Sequence, residues 1–253
     1  WNVNSARARA ERITQFLTRT QVDVLAMQEI KCKPEQFPYA AFEAIGYKVI
    51  AHGLNQWNGV AFAYKEHLNP EDIEHSFSGQ PEFKETVEAR ALGATFDGVR
   101  IWSLYVPHGR GLDDPHMQYK LDFLDRLAAT TAEQLEMDPG LEIALVGDFN
   151  VAPLDSDVYD LSLFETHVSE PERDAFEAFE QIGLTDKVRE LVPDVYTYWD
   201  YKDLCFPKNN GMRIDFMLTS DALTERIEAA SIERDERKGE LPSDHVPVII
   251  RVS

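Results

Sequence analysis

The sequence predicts an α/β fold in which two β-sheets pack face to face and helices cover their outer sides. Short apolar runs that predict strands alternate along the chain with amphipathic segments that predict helices. The chain has 253 residues, of which 43% are hydrophobic, and this is enough to bury a substantial core. Because no linker, repeat or low-complexity segment is visible, we expect a single domain that spans residues 1–253.

The first half of the chain is predicted to contain two helices and five strands. The helices cover residues 7–20 and 115–135, and each has apolar side chains at helical spacing. The strands are predicted at residues 22–27, 47–51, 59–64, 88–96 and 99–105. Since Asp97-Gly98 is a favoured two-residue turn, the last two strands are expected to form a hairpin.

The second half is predicted to start again with a strand and to contain one long acidic helical region. This region follows the strand at residues 142–146 and extends to Gly183. Further strands are predicted at residues 196–200, 213–218, 226–232 and 246–252. Strands and helices in both halves therefore indicate one layered domain, with its chemistry on loops at strand ends.

The sequence indicates a soluble, cytoplasmic protein. Its apolar runs are much shorter than the roughly 18 residues that a membrane-spanning helix needs, and no signal-like segment is visible at its start. Two isolated cysteines, Cys32 and Cys205, form neither a disulfide framework nor a zinc motif, which favours a reducing compartment. We also expect a hydrophobic strand to precede Trp1 in the natural protein.

The charge of the chain is strongly acidic but unevenly distributed. A net charge of −20 would by itself argue against nucleic acid, because Lys and Arg bind the phosphate backbone. Residues 1–33, however, carry a local charge of +3, whereas residues 155–180 carry −8. One face could therefore still be positive, although solvated helix surface also explains several of these arginines.

Polar side chains follow several of the predicted strands. The segment Gly147–Asn150 ends a buried strand with an acid and an amide at alternating positions, and Gly147 permits unusual backbone angles or a close approach. Asp244 and His245 stand just before the last strand, and Glu29 ends another. Each motif alone is also consistent with an ordinary turn in which the side chains cap the backbone.

Two further strand ends and an aromatic segment add to this pattern. Asp215 begins a buried strand and could orient a histidine, and the Gly-rich basic loop 105–111 follows another. Residues 196–202 offer aromatic rings suited to packing against sugars or bases, although core packing explains some of them equally well. Five strand ends with such residues together predict a site that holds a hard cation and acts on phosphate.

The motifs resemble, in order and spacing, the exonuclease III family of apurinic/apyrimidinic (AP) endonucleases, within the endonuclease/exonuclease/phosphatase superfamily. The resemblance spans essentially the whole chain and rests on seven segments: residues 1–4, 28–29, 105–107, 147–150, 196–199, 213–215 and 243–245. It implies a DNase I-like fold, a four-layered α/β sandwich of two packed mixed β-sheets flanked by helices. This agrees with the fold expected from the strand pattern.

The resemblance also implies a role for each matching side chain. Asp148 would activate water with help from Asn150, and His245, steered by Asp215, would bind the scissile phosphate together with Tyr105. A metal, Mg²⁺ or alternatively Mn²⁺, would be held by Glu29, Asn4 and Asp244. Residues expected to contact the substrate are Asn2, Arg7, Lys31, His108, Arg110, Tyr198, Trp199 and Arg213.

The implied activity is metal-dependent cleavage of double-stranded DNA 5′ to abasic sites, with 3′→5′ exonuclease and 3′-phosphatase activity on 3′ ends. The protein would act in DNA repair as a monomer and without a membrane. Two alternatives stay open: a small-molecule or lipid-headgroup phosphatase, and a nucleic-acid-binding protein without catalysis. Basic residues near the site, such as Lys33 and Lys202, favour DNA, and the intact set of catalytic residues argues against mere binding.

Two features depart from the family pattern. His108 occupies a position where the family usually has an amide side chain that steadies the phosphate. The acidic charge balance should weaken nonspecific DNA binding and increase its dependence on salt. Cleavage at abasic sites is therefore easier to predict than processive exonuclease digestion.

Overall fold

A computed structural model describes all residues 1–253 of the protein. The strands are β1 Val24–Gln28, β2 Tyr47–His52, β3 Val60–Lys65, β4 Glu71–Glu74, β5 Ala91–Phe96, β6 Val99–Tyr105, β7 Ile143–Asp148, β8 Leu184–Thr185, β9 Asp215–Ser220, β10 Ile227–Ile232 and β11 Val248–Val252. The α-helices are α1 Ala10–Thr20, α2 Tyr39–Glu43, α3 Pro115–Met137, α4 Glu170–Gln181, α5 Lys187–Leu191, α6 Cys205–Lys208 and α7 Asp221–Thr224.

The strands form one large mixed sheet and two smaller antiparallel groups. The large sheet has the order β4-β5-β6-β7-β9-β8. Strands β6 and β7 pair in parallel, and all other neighbouring strands of this sheet are antiparallel. The second layer contains the three-stranded sheet β1-β3-β2 and the ribbon β10-β11. Strands β5 and β6 form the hairpin that the Asp97-Gly98 turn predicts.

Apolar side chains hold the two sheets together. Phe62 of β3 packs edge-to-face on Phe96 of β5, with ring centroids 5.4 Å apart, and both rings are buried. On the outer faces, α1 and α2 cover the three-stranded sheet, while α3 and α4 cover the large sheet. The resulting helix–sheet–sheet–helix order confirms the predicted four-layered α/β sandwich.

The observed elements differ from the predicted ones in the acidic region before Gly183, where only α4 is an α-helix, and where elements are short. Residues 196–200 do not form a strand, because Tyr198 makes only isolated bridges to Met212 and His245. The first helix begins at Ala10, since residues 6–9 form a turn. The sequence pattern also missed β4, β8, α2, α5, α6 and α7, which have two to five residues each and are too short to show a period.

The beginning of the chain lies beside the end of β1. Val3 donates a main-chain hydrogen bond to the carbonyl of Gln28, and the Gln28 N–H donates to the carbonyl of Trp1. An apolar cavity of about 690 Å³ lies between β1 and β11 next to Trp1. The strand expected before Trp1 lies outside the described residues.

None of the helices combines the length and the hydropathy that crossing a lipid bilayer requires.

Candidate active site

The ends of the central strands bring the predicted polar residues to one edge of the fold. Tyr105, the last residue of β6, is the register partner of Asp148, which ends β7. Asp148 is in turn the register partner of Asp215, the first residue of β9. Glu29 directly follows β1, and the loop before β11 adds His245. The sheet register itself therefore assembles these residues.

Gly147 has the unusual backbone that the sequence predicts for it. Its φ angle is +142°, and a Cβ atom built there would collide with the main-chain carbonyl of Leu104. Only glycine allows β6 and β7 to approach so closely just before Asp148. The residue thus fixes the position of Asp148 relative to Tyr105.

Asp148, His245 and Asp215 form a buried chain of interacting groups. Nδ1 of His245 lies 2.8 Å from Oδ2 of Asp215, and its Nε2 lies 3.6 Å from Oδ2 of Asp148. Burial opposes the charged imidazolium, but the carboxylates of Asp215 and Asp148 outweigh it and raise the pKa of His245 to about 10. Burial also raises the pKa of Asp148 to about 7, although His245 opposes this shift.

Asn2 connects this chain to Glu29. Its amide nitrogen donates one hydrogen bond of 2.8 Å to Glu29 Oε1 and another of 3.0 Å to Asp148 Oδ2. Burial disfavours the charged form of Glu29, but Lys31 and the Asn2 amide outweigh this effect and lower the pKa of Glu29. Asn2 is 0% exposed, and its amide orients these two carboxylates, while its predicted contact with the substrate stays a prediction.

The ammonium group of Lys31 lies between oxygen atoms of Glu29 and Asn4. The Lys31 ammonium lies 2.9 Å from Glu29 Oε2 and donates a hydrogen bond of 2.5 Å to Asn4 Oδ1. The Asn4 amide nitrogen donates to Asp244 Oδ1 over 3.0 Å. Carboxylate and amide oxygens are the ligands of hard cations such as Mg²⁺. The residues therefore fit the predicted divalent cation, with Lys31 as the group that now neutralises them.

One group of acidic and histidine side chains that could hold a metal differs in part from the predicted ligand set. Ligand atoms of Glu29, Asp148 and His245 lie within 4.8 Å of one another. Glu29 belongs to this group and to the predicted ligand set, while Asp148 and His245 take the places of Asn4 and Asp244. Nδ1 of His245 is held by Asp215, so Nε2 is its nitrogen that faces the cluster.

Tyr105 lies beside the same cluster as a neutral hydrogen-bond donor. Burial, reinforced by the nearby Glu29 carboxylate, raises the pKa of Tyr105 well above its usual value. The guanidinium of Arg90 lies over the Tyr105 ring at 4.9 Å from the centroid. A phenol that stays protonated here can donate to a substrate oxygen.

Asn150 is anchored beside Asp148 by its own side chain and main chain. Its N–H donates to Asp148 Oδ1 over 2.9 Å, and its side-chain amide nitrogen donates to the Val106 carbonyl over 2.9 Å. The backbone of Asn150 has a positive φ of 51° and the residue is buried. The structure thus places it next to the proposed water-activating carboxylate, as the motif predicts.

The predicted substrate contacts on the rim are exposed. Arg7, His108 and Arg110 all have exposed side chains, and Arg110 lies over the ring of Phe83 at 5.8 Å from the centroid. His108 makes an edge-to-face contact with His167, with ring centroids 4.6 Å apart. Neighbouring groups that displace water from the ring, together with the charge of Lys120, lower the pKa of His108.

An apolar patch lies on the other side of His245. Tyr198 is half-buried, and its ring centroid is 4.9 Å from that of His245. The ring packs against a small cluster that contains Val158, Met212 and Ile214. Sequence reasoning missed these three residues, although the alternation of Met212 and Ile214 around Arg213 was a usable signal for side chains on one face.

Two predicted substrate contacts are wrong. Trp199 is 0% exposed, and its indole N–H donates to Asn209 while Phe206 covers its ring, so it is a core residue. Arg213 is 2% exposed and donates to the Val192 carbonyl, away from the cluster around Asp148. In both cases a neighbour in sequence faces the site instead, because side chains alternate along an extended chain.

Comparisons with known proteins agree with this geometry. Residues 1–245 match the family model described as Endonuclease/Exonuclease/phosphatase family. Exodeoxyribonuclease III from Haemophilus influenzae is 31% identical over 98% of this chain and 96% of its own length.

Solved structures give the same result for the fold. A 3′ phosphatase from Neisseria, solved with a product DNA hairpin, has a TM-score of 0.92 at 31% identity, covering 100% of this chain and 97% of that one. An AP endonuclease from Archaeoglobus fulgidus has a TM-score of 0.90 at 32% identity, covering 99% of this chain and 96% of that one. The chain therefore belongs to the endonuclease/exonuclease/phosphatase family, within its exonuclease III group of AP endonucleases, as the motifs predict.

Proposed function

We propose that this protein is a DNA-repair nuclease that hydrolyses phosphodiesters 5′ to abasic sites and also removes nucleotides or phosphates from 3′ ends. Similarity to an exodeoxyribonuclease III, a DNA-bound 3′ phosphatase and an AP endonuclease supports this substrate class. The observation that carries the proposal is the buried chain Asp215–His245–Asp148 with Asn2 and Glu29 attached to it. A surface that only binds DNA needs no such buried set of titratable groups.

Asp148 is the proposed acceptor of the proton from the attacking water. Burial holds its pKa close to neutrality, at about 7, which is where a general base is most effective. Asn2 and Asn150 each donate a hydrogen bond to this carboxylate, so its orientation is fixed before substrate arrives. Asp148 would take the proton of a water molecule that the free amide hydrogen of Asn150 helps to orient.

His245 is the proposed donor to the scissile phosphate. Asp215 holds its Nδ1, so Nε2 is the nitrogen that faces Asp148 and the space where the phosphate would bind. A protonated imidazole there neutralises charge that grows on the non-bridging oxygens. Tyr105 can donate a further hydrogen bond to the same group, since its phenol stays protonated.

A divalent cation, Mg²⁺ or Mn²⁺, would be held by Glu29, Asn4 and Asp244. When bound, it supplies positive charge for the phosphate oxygens and the leaving 3′ oxygen. The Lys31 ammonium contacts the oxygens of Glu29 and Asn4. A bound cation would displace Lys31 from these oxygens or share them with it.

The apolar patch beside His245 is the proposed place for a sugar that has lost its base. Tyr198 offers its half-buried ring, and the buried side chains of Met212 and Ile214 support that ring from below. An extrahelical abasic sugar exposes apolar ring atoms, and it costs less to unstack than an intact nucleotide. The patch therefore favours abasic DNA over ordinary DNA.

The test uses a duplex oligonucleotide with one tetrahydrofuran abasic analogue, incubated with Mg²⁺ or with EDTA. We expect incision 5′ to the analogue only with Mg²⁺, and loss of incision in Asp148→Asn. Asp97→Asn is the matched control, because Asp97 is exposed in the turn at the opposite end of β6. Metal-dependent hydrolysis of inositol phosphates without any incision of DNA would overturn the proposed substrate class.

A further inference from the structure

Asn150 accepts hydrogen bonds from two residues that have no proposed catalytic role, His167 and Lys120. Four hydrogen bonds fix the residue, and two of them go to Asp148 and Val106, which belong to the strands of the site. The other two come from His167 and Lys120, which lie outside these strands. Its positive φ of 51° is a conformation that a non-glycine residue keeps only when its surroundings enforce it.

His167 fixes the side-chain amide of Asn150. Its Nε2 lies 3.3 Å from Asn150 Oδ1, and its Nδ1 lies 3.0 Å from the Thr166 hydroxyl. The Asn150 oxygen can only accept, so Nε2 must carry the proton and Nδ1 must accept from Thr166. Burial strongly lowers the pKa of His167, which keeps this single tautomer neutral. One amide hydrogen of Asn150 is then left for water or phosphate, since the other goes to Val106.

The backbone conformation of His167 also indicates that the surrounding structure fixes the orientation of its side chain. It has a φ of +71°, and its carbonyl accepts a hydrogen bond of 2.7 Å from the Ala152 N–H, two residues after Asn150. The residue is only 5% exposed. A buried histidine on strained backbone that points at a catalytic amide is unusual for a residue that only fills space.

Lys120 fixes the main chain of Asn150. The Lys120 ammonium donates to the Asn150 carbonyl over 2.6 Å and to the His108 carbonyl over 3.3 Å, so it joins the two loops on either side of the phosphate position. Its charge is paired with Glu172, and both side chains are 0% exposed. Glu172 is in turn held by the N–H and hydroxyl of Ser169 at the start of α4. A fully buried ion pair is costly, and a role in specifying geometry explains why the fold contains one.

We propose that His167 and the Lys120–Glu172 pair are positioning residues that hold Asn150, His167 through its side-chain amide and Lys120 through its carbonyl. This inference rests on the proposed function of Asn150 beside Asp148. Neither positioning group touches the substrate. Both act by keeping the Asn150 amide aimed at the water and phosphate.

The first test compares His167→Ala with His167→Gln. Glutamine can place an N–H near the position of Nε2, whereas alanine leaves Asn150 Oδ1 without a donor. We expect kcat for abasic incision to fall about 10- to 100-fold in His167→Ala with KM within about twofold of wild type, and His167→Gln to recover most of the loss. Wild-type kcat in His167→Ala, or equal losses in both variants, would overturn the role of the Nε2 donor.

The second test removes both charges of the buried pair in Lys120→Met/Glu172→Gln, because a single substitution would leave an unpaired buried charge and could unfold the protein. We expect a lower kcat with unchanged KM and a preserved circular dichroism spectrum. The control is Arg100→Met/Glu74→Gln, a partly buried pair at the far end of β6. If both double variants keep wild-type kcat, Lys120 does not position Asn150.

A third measurement separates this inference from the proposed function. The ¹⁵N shifts of the histidine ring nitrogens report the tautomer directly, without substrate. We expect His167 in its neutral Nε2–H form from pH 6 to pH 8, and a change in the Asn150 side-chain amide resonances in His167→Ala. An Nδ1–H tautomer would overturn the inference even if wild-type protein incises DNA, while absent incision with the expected tautomer would point to the proposed function as the error.

Discussion

Nε2 of His245 lies 3.6 Å from Oδ2 of Asp148, while its Nδ1 is held 2.8 Å from Oδ2 of Asp215. The imidazole thus lies between two buried carboxylates that have different tasks. Asp215 fixes the ring and its charge, whereas Asp148 shares its other oxygen with the N–H of Asn150. Because their surroundings differ, the Asp215 carboxylate can orient His245 while the Asp148 carboxylate can act as a base.

Asp148→Asn should abolish most of the activity while leaving the fold intact. The amide keeps the shape of the carboxylate but cannot accept a proton, and loss of a general base typically costs about 100- to 10,000-fold in rate. We expect this loss in single-turnover incision of an abasic duplex, with DNA binding retained. A rate within tenfold of wild type would contradict the role of Asp148.

Asp215→Asn should lower kcat by about 100-fold or more with little change in KM. Without the carboxylate, the imidazolium loses the negative charge that contributes most to its raised pKa, and its Nδ1–H loses a charged acceptor. Incision rates at substrate concentrations far above and far below KM would separate the two parameters. A variant that changes only KM would show that Asp215 acts on binding instead.

Glu29→Gln should weaken the binding of a divalent cation by about tenfold or more, since it removes the anionic ligand that Lys31 now neutralises. The measurement is the increase of the melting temperature with added Mg²⁺ or Mn²⁺, because a ligand that binds the folded state stabilises it. Glu228→Gln is the control, as this residue forms an exposed pair with Arg251. Equal metal-induced shifts in both variants would remove Glu29 from the ligand set.

The sequence predicts most of the layered fold and of the central cluster. An apolar run marks each buried strand, and the polar residue at its end marks the site. Buried strands such as β7 are continuous apolar runs, and the polar residue that ends each run marks the edge where loops meet. The register then follows from pairing of neighbours, as for Tyr105 with Asp148. At these strand ends the local sequence pattern and the position in the fold agree, so the pattern alone predicts which residues meet.

The rest could not be read from local pattern because it depends on contacts between distant segments. Trp199 belongs to an aromatic run that suits either a surface or a core, and only the covering ring of Phe206 decides between them. Lys120 is part of a helix whose polar residues normally face solvent, and its burial depends on Glu172 in another helix. Short elements such as β8 and α6 offer too few residues for any period.

Trp199→Ala should destabilise the fold by about 3–5 kcal/mol, the usual range for removing a large buried aromatic side chain. At a temperature where the variant is still folded, its KM for abasic DNA should stay within about twofold of wild type.

Tyr198→Leu should have the opposite effect, with nearly normal stability but a higher KM, because the Tyr198 ring lies beside His245. Urea unfolding and incision kinetics of both variants check this. A higher KM in Trp199→Ala would restore the sequence-based prediction of a substrate contact.

Acidification should destabilise the protein partly through His116. Burial lowers the pKa of His116 from 6.5 to about 4, and its Nδ1 accepts a hydrogen bond from the Gly109 N–H, which a protonated ring could not accept. Between these two values the unfolded chain binds more protons at this residue than the folded chain, so the free energy of unfolding falls as pH falls from about 6.5 to 4. His116→Asn keeps an acceptor for Gly109 but cannot titrate, and it should flatten this dependence in urea unfolding at pH 4.5, 5.5 and 7. The exposed His67→Asn is the control, and an identical pH dependence in His116→Asn and in wild type would show that His116 does not couple folding to protons.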